Sequence, residues 1–138
     1  MRVYRTLRVQ FSAAHRMYRE EWSAEKNFEV FGKCGNPNWH GHNYELYVTV
    51  KGRLDELTGS FFNIKELQRI VNDQVLIPVD HKNLNVDVDF MRGKMATTEL
   101  LCIAIFKQLQ QPLKEAGIPL HSVRLYETEN NSAEYFGN

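Results

Sequence analysis

Two segments of this sequence alternate between apolar and polar residues, and each carries histidine on its apolar face. The odd-numbered positions from Leu7 lead through apolar residues to His15. The even-numbered positions from His40 to Val50 repeat the pattern, with His42 as the second member. A period of two is typical of a β-strand with one buried face. The sequence therefore predicts one strand that ends at His15 and another that begins at His40.

The three histidines have the pattern of a metal site. His40 and His42 are two residues apart on one strand, so their side chains point the same way. If the strands are antiparallel neighbours, the end of the first lies beside the start of the second, and His15 joins the pair. Three imidazoles at one point suit zinc, and three protein ligands leave a position for substrate, as in catalytic sites. An isolated H-x-H pair would also fit ordinary polar residues at a strand end.

Cys34 leaves the type of metal site open. It precedes His40 by six residues, in a loop marked by Gly35, Asn36 and Pro37. As a fourth ligand, this thiol would close a structural zinc site. As a free thiol near the metal, it would be available as a general base.

The remaining elements complete an α+β pattern. Helices are predicted over Ser23–Phe31, after the capping residue Asn63, and from a cap near Thr97 until Gly117 ends the helix. A loop is predicted over 78–89, and two further strands over 121–127 and 133–136. Strands that pair as hairpins, with helices on one face, give an α+β layer.

Composition limits the possible partners and locations. The chain has 138 residues, which suits one domain over 1–138, and its formal net charge is zero. We therefore expect no nucleic-acid partner, since binding would need a basic patch. We also expect no membrane span and no secretory signal. Cys34 and Cys102 do not make a disulfide framework, so a cytoplasmic location is expected.

Five motifs in order along the chain resemble one enzyme family. They are F-S-A-A-H at 11–15, F-G-K-C-G-N-P-N-W-H-G-H-N-Y at 31–44, D-H-K-N-L-N at 80–85, T-T-E at 97–99 and Y-E-T at 126–128. Together they closely resemble the 6-pyruvoyl-tetrahydropterin synthase family, which includes the 6-carboxytetrahydropterin synthases. The resemblance implies a tunnelling fold, a four-stranded antiparallel sheet with two helices on one face. It also implies a homohexamer, a dimer of trimers with active sites at subunit interfaces.

The resemblance assigns catalytic roles by position. The three histidines match the ligands of one Zn²⁺ per subunit, and Cys34 matches the thiol that acts as general base. Asp80 and His81 match a pair that orients and relays protons. From residue types alone, this pair fits a local turn in a loop better than a catalytic role.

The resemblance also assigns a pterin pocket. Glu127 matches the carboxylate that anchors the pterin ring, and Thr97, Thr98 and Glu99 match the segment that completes the pocket. Glu127 continues the apolar face of the strand over 121–127, and a pterin offers adjacent N–H donors to a carboxylate. The alternative is a glutamate at a strand end that points to solvent.

Three residues depart from the family's usual pattern. Leu100 stands where Asn is common and Ala96 where Pro or Ser is common, and both are expected to adjust the pterin pocket without touching the metal. Trp39 replaces a frequent Gly before H-G-H, where it would reshape the mouth of the site.

The predicted function is a zinc-dependent lyase that acts on 7,8-dihydroneopterin triphosphate. Loss of triphosphate would give 6-pyruvoyl-tetrahydropterin. The resemblance favours this product slightly, because the five residues between Cys34 and His40 match the pyruvoyl branch of the family better than the carboxy branch. The alternative product is 6-carboxytetrahydropterin of the queuosine pathway, formed with acetaldehyde. A non-catalytic, zinc-stabilised binding module is an alternative of another class. A zinc hydrolase is disfavoured because no H-E-x-x-H motif is present.

Overall fold

The two alternating segments form the longest strands of the protein. In the computed structural model, which describes residues 1–138, β1 (Arg2–His15) pairs antiparallel with β2 (His40–Arg53). The register places His15 opposite His40. β1 starts before the alternating segment because its first residues are largely exposed and are held by backbone pairing with β2, which an apolar pattern does not report.

The sheet has five strands, so the prediction of a four-stranded antiparallel sheet needs correction. Its order is β3-β1-β2-β4-β5, where β3 is Lys82–Asn83, β4 is Leu120–Thr128 and β5 is Asn131–Tyr135. β3 lies within the predicted loop and pairs parallel with β1 at Ala13 and Ala14. A strand of two residues is too short to show a periodic pattern, so the sequence carried no sign of it. The α+β class is confirmed.

Side-chain caps start the predicted helices where the sequence indicated. Ser23 caps α1 (Ala24–Phe31), Asn63 caps α2 (Ile64–Val71), and Thr97 caps α4 (Thr98–Glu115). Each cap accepts a hydrogen bond from a backbone N–H of the first turn. Helix α2 continues through a π-helical turn, Asn72–Leu76, into α3 (Ile77–Val79). None of these helices combines the length and apolar character needed to cross a bilayer.

The core lies between one face of the sheet and helices α2 and α4. Alternate residues of β2 from Tyr44 to Val50 are fully buried, and they meet helix residues such as Leu67, Leu101 and Ile105. The opposite face of the sheet is polar, as the ion pair between Arg8 and Glu45 illustrates. His15 therefore lies at the end of the buried face, where the core meets the loops.

Asn27, in α1, ties the loop after β1 to this helix. Its side chain is 1% exposed, accepts a hydrogen bond from the Arg19 backbone N–H at 2.8 Å, and donates to the carbonyls of Arg19 and Ser23, each at 3.0 Å. A buried amide with this many partners replaces the backbone hydrogen bonds that an irregular loop lacks.

Replacing Asn27 with alanine is expected to lower the free energy of unfolding by about 2–3 kcal/mol, because it removes these three hydrogen bonds of a buried amide and leaves the Arg19 N–H without its partner. Urea unfolding followed by circular dichroism measures the change. Asn38→Ala is the matched control, since the Asn38 side chain is exposed and makes no hydrogen bond. Its effect should stay within about 0.5 kcal/mol. Equal effects of the two substitutions would contradict the role given to Asn27.

Candidate metal centre

His15, His40 and His42 converge at the junction of β1 and β2. The centroid of the His15 ring lies 4.6 Å from that of His40 and 5.0 Å from that of His42, and the rings of His40 and His42 are 5.0 Å apart. One ring nitrogen from each residue lies within 4.8 Å of the other two. The predicted meeting of the three imidazoles is therefore present, and it follows from the strand register.

The nitrogen atoms of this cluster fit a metal ion. The Nδ1 atom of His15 lies 2.8 Å from the carbonyl oxygen of Ala96, which places the ring proton on Nδ1 and leaves Nε2 as a lone-pair donor. Nε2 of His15, Nδ1 of His40 and Nε2 of His42 are buried and have no hydrogen-bond partner. Three unpartnered buried nitrogens at one point are costly, and a bound cation removes that cost. The donor set suits Zn²⁺.

Burial favours the neutral form of two of the three histidines, His15 and His42. Burial lowers the pKa of His15, although the hydrogen bond to Ala96 opposes the shift, and burial also lowers the pKa of His42. The neutral imidazole is the form that binds metal, so the lowered pKa values of His15 and His42 favour the metal-binding form of these two side chains.

Ala96 has a role that the sequence did not reveal. Its carbonyl group orients His15 directly, although Ala96 was expected to affect only the pterin pocket. Every residue type offers a backbone carbonyl, so no residue pattern could have indicated this contact.

Glu127 lies beside the cluster. One carboxylate oxygen, Oε1, is 3.4 Å from Nε2 of His42, and the other accepts a short hydrogen bond from the hydroxyl of Thr98. Its side chain is only 15% exposed, so this glutamate does not point freely to solvent. Burial, with the nearby Glu127 charge as a smaller cause, raises the pKa of Tyr44 next to the cluster.

The other two residues predicted for the pterin pocket lie differently. The Thr97 hydroxyl accepts a hydrogen bond from the backbone N–H of Leu100 and so caps the start of α4. Glu99 is exposed in the first turn of the same helix and makes no side-chain hydrogen bond. Within one chain, the structure thus joins Thr98 to Glu127 but leaves Thr97 and Glu99 apart from them.

Cys34 is a free thiol outside the group of three metal-binding candidates. It lies in a short 3₁₀ turn, Gly32–Gly35, that follows α1, and it is half-buried. Its carbonyl accepts a hydrogen bond from the Met17 backbone N–H at 2.8 Å, which fixes this turn beside the end of β1. Since the thiol does not join the three nitrogens, the geometry favours the open site over the closed one.

Asp80 and His81 form a pair beside the edge of β1 that faces away from β2. Asp80 Oδ1 accepts the Ser12 backbone N–H at 2.9 Å and lies 3.0 Å from Nδ1 of His81. The Ser12 hydrogen bond, with a smaller contribution from His81, lowers the pKa of Asp80. The His81 side chain is 82% exposed, and neither residue makes a hydrogen bond or ring contact with the three histidines. His81 and His42 line one cavity, but no direct contact joins the pair to the histidine cluster.

Comparison with known proteins places this geometry in a family. The family model described as 6-pyruvoyl tetrahydropterin synthase matches residues 4–138. The chain is 45% identical to the 6-pyruvoyl tetrahydrobiopterin synthase of Dictyostelium discoideum over 132 residues, covering 96% of this chain and 94% of the relative. It is 43% identical to that of Homo sapiens over 130 residues, covering 94% and 88%. A solved structure of Caenorhabditis elegans 6-pyruvoyl tetrahydropterin synthase has 36% identity and a TM-score of 0.92, covering 100% of this chain and 97% of the other. The chain therefore belongs to the 6-pyruvoyl tetrahydropterin synthase family.

Proposed function

We propose that this protein is a zinc-dependent lyase that converts 7,8-dihydroneopterin triphosphate to 6-pyruvoyl-tetrahydropterin with loss of triphosphate. The observation that carries the proposal is the cluster of three buried histidine nitrogens, within 4.8 Å of one another and without hydrogen-bond partners. The synthase names of the relatives supply the substrate class, since the residues of the cluster are the ones that the family motifs contain.

In the proposed reaction, the residues around the histidine cluster have separate roles. Zinc, when bound, supplies a positive charge that acidifies the substrate's side-chain hydroxyl and C–H groups. Cys34 serves as the base that removes a proton from carbon. Glu127 accepts N–H donors of the pterin ring at the edge of the cluster, and Thr98 fixes the orientation of its carboxylate through their hydrogen bond.

We infer that the active site is completed between subunits of a homohexamer. Within one chain, Asp80 and His81 hold each other but stay apart from the histidine cluster. The exposed imidazole of His81 is then available to a neighbouring copy, where Asp80 keeps it in one tautomer for proton relay. The polar open face of the sheet and its two edge strands, β3 and β5, are the surfaces that assembly would cover.

The experiment that tests the function is a product assay. The zinc-loaded protein is incubated with 7,8-dihydroneopterin triphosphate, and the pterin product is identified by mass spectrometry. Formation of 6-pyruvoyl-tetrahydropterin supports the proposal. Acetaldehyde with 6-carboxytetrahydropterin would assign the protein to the other branch of the family. A zinc-loaded protein that leaves the substrate unchanged would contradict the lyase.

Alkylation of the two cysteines separates the open site from a closed structural zinc site. We expect iodoacetamide at pH 8 to modify Cys34 in the native, zinc-loaded protein and to leave Cys102 unmodified. Cys102 is 1% exposed, and burial raises the pKa of its thiol to about 11, so it stays protonated and inaccessible at this pH. Peptide mass spectrometry locates the modification, and the unfolded protein, in which both thiols react, is the control. Protection of Cys34 by zinc would indicate a fourth ligand and a structural role.

A further inference from the structure

Arg16 follows the candidate ligand His15 and carries an uncompensated charge. Its guanidinium carbon lies 3.7 Å from the centroid of the Tyr18 ring and 5.5 Å from that of Trp39. The Nε atom is buried and has no hydrogen-bond partner. The ion pairs of the protein do not include Arg16. A partly buried guanidinium without an acid beside it is in position to receive an anion.

The position of Arg16 is fixed from two directions. Its backbone N–H donates to Oδ1 of Asn85 at 3.0 Å, and its carbonyl accepts from Nδ2 of the same amide at 2.8 Å. The aromatic rings hold the other end of the side chain through cation–π contact. The side chain therefore loses little further freedom when a ligand binds, which favours affinity.

Trp39 contributes to this arrangement in an unusual backbone conformation. Its φ of 64° lies in the left-handed region, which glycine adopts without cost and a bulky residue does not. Backbone strain of this kind is typical of functional sites. What the tryptophan supplies, and glycine would not, is the second ring against Arg16.

A cavity of about 300 Å³ opens beside Arg16. Arg16 and Lys33 both line it, together with Tyr18 and Asn36, and no carboxylate does. Lys33 is exposed and likewise forms no ion pair. Two unpaired cations around one cavity favour a ligand with several negative charges.

We propose that this cavity binds the phosphate chain of the substrate and that Arg16 is its principal contact, with Lys33 adding charge at the rim. The inference rests on the proposed function, because dihydroneopterin triphosphate carries its phosphates on the carbon next to its side-chain hydroxyls. Under the proposed function those hydroxyls lie at the metal. Arg16 directly follows the candidate ligand His15, and Trp39, whose ring contacts Arg16, directly precedes the candidate ligand His40. A planar guanidinium binds phosphate oxygens in pairs, which fixes the direction of the chain as well as its charge.

The test compares a pterin without phosphate, the same pterin with triphosphate, and triphosphate alone. Neopterin and neopterin triphosphate are titrated against the zinc-loaded protein by fluorescence, and magnesium triphosphate is titrated by calorimetry. Arg16→Gln is expected to weaken the binding of neopterin triphosphate and of magnesium triphosphate by about 10- to 100-fold and to leave the binding of neopterin unchanged. The affinities of Arg16→Lys for the two phosphate ligands should lie between those of the unmodified protein and of Arg16→Gln, since lysine keeps the charge but loses the planar geometry.

Arg19→Gln is the matched control. Arg19 also lies over an aromatic ring, that of Trp22, but Glu21 neutralises its charge. Its replacement should leave the affinities for all three ligands unchanged. Zinc content of each variant, measured by elemental analysis, reports whether the metal cluster is intact. If Arg16→Gln does not fold, Trp39→Gly supplies the second variant, with an expected loss of about 3- to 10-fold for phosphate ligands only.

The outcomes separate this inference from the proposed function. Unchanged binding of magnesium triphosphate to Arg16→Gln, or equal weakening of neopterin and neopterin triphosphate, would overturn the assignment of the cavity. If magnesium triphosphate binds through Arg16 but neither pterin binds, the result supports the polyphosphate site and contradicts the proposed pterin lyase.

Discussion

Replacing Cys34 with alanine is expected to lower the turnover of dihydroneopterin triphosphate by about 10²- to 10⁴-fold, the usual contribution of a general base. The zinc content should not change. The thiol lies outside the group of three histidines, so its loss removes no ligand. It is half-buried in a turn that backbone hydrogen bonds hold, so alanine fits without disturbing the fold. Turnover is measured by product formation at saturating substrate, and zinc by elemental analysis of the same sample.

Cys102→Ala is the control for this experiment. Cys102 is buried in α4, where its thiol donates to the Val123 carbonyl at 3.3 Å, and it belongs to the core. Its replacement should reduce stability by roughly 1 kcal/mol and leave turnover unchanged, as expected of a small core side chain. A Cys34→Ala protein that loses zinc and stability together would contradict the lyase and support the closed, structural zinc site.

The cluster of three histidines was predictable because its geometry depends on strand register. The polar and apolar alternation identifies both strands and the face on which each histidine lies. Antiparallel pairing then sets His15 opposite His40, as observed. The same reasoning placed Glu127 on the face of Val123 and Leu125, which are fully buried, but it left a side chain that points to solvent as an equal alternative. The 15% exposure of the Glu127 side chain excludes that alternative within the structure. Local periodicity thus contains enough information wherever a site is built on regular strands.

Contacts made by loops and backbone atoms could not be predicted from the sequence pattern. The Ala96 carbonyl that orients His15, and the Ser12 amide that holds Asp80, could come from any residue type. The two-residue strand β3 shows no periodicity, and its pairing depends on how a long loop returns to β1. The Asp80–His81 motif was identified only by resemblance, because an acid next to an imidazole in a loop also fits a local turn.

Replacing His42 with alanine is expected to abolish stabilisation by zinc. At free zinc a thousandfold above its dissociation constant, binding should raise the free energy of unfolding of the unmodified protein by about 4 kcal/mol. For a domain of this size, that corresponds to an increase in melting temperature of roughly 12–20 °C. With two ligands left, the increase should be close to zero, and turnover should fall below detection. His42 is the best ligand to replace, because its side chain is 19% exposed whereas that of His15 is fully buried and would leave the Ala96 carbonyl unpaired.

Thermal unfolding with zinc and with a chelator provides the measurement, and His121→Ala is the control. The ring of His121 packs between Tyr4 and Phe136, at centroid distances of 4.6 Å and 5.5 Å, and does not contact the metal cluster. Its replacement should therefore lower the melting temperature with and without zinc by the same amount and preserve the zinc-dependent increase. The difference between the two variants isolates coordination from general loss of an aromatic contact. A His42→Ala protein that retained the full increase would show that zinc binds elsewhere, and the three unpartnered nitrogens would then need another explanation than metal binding.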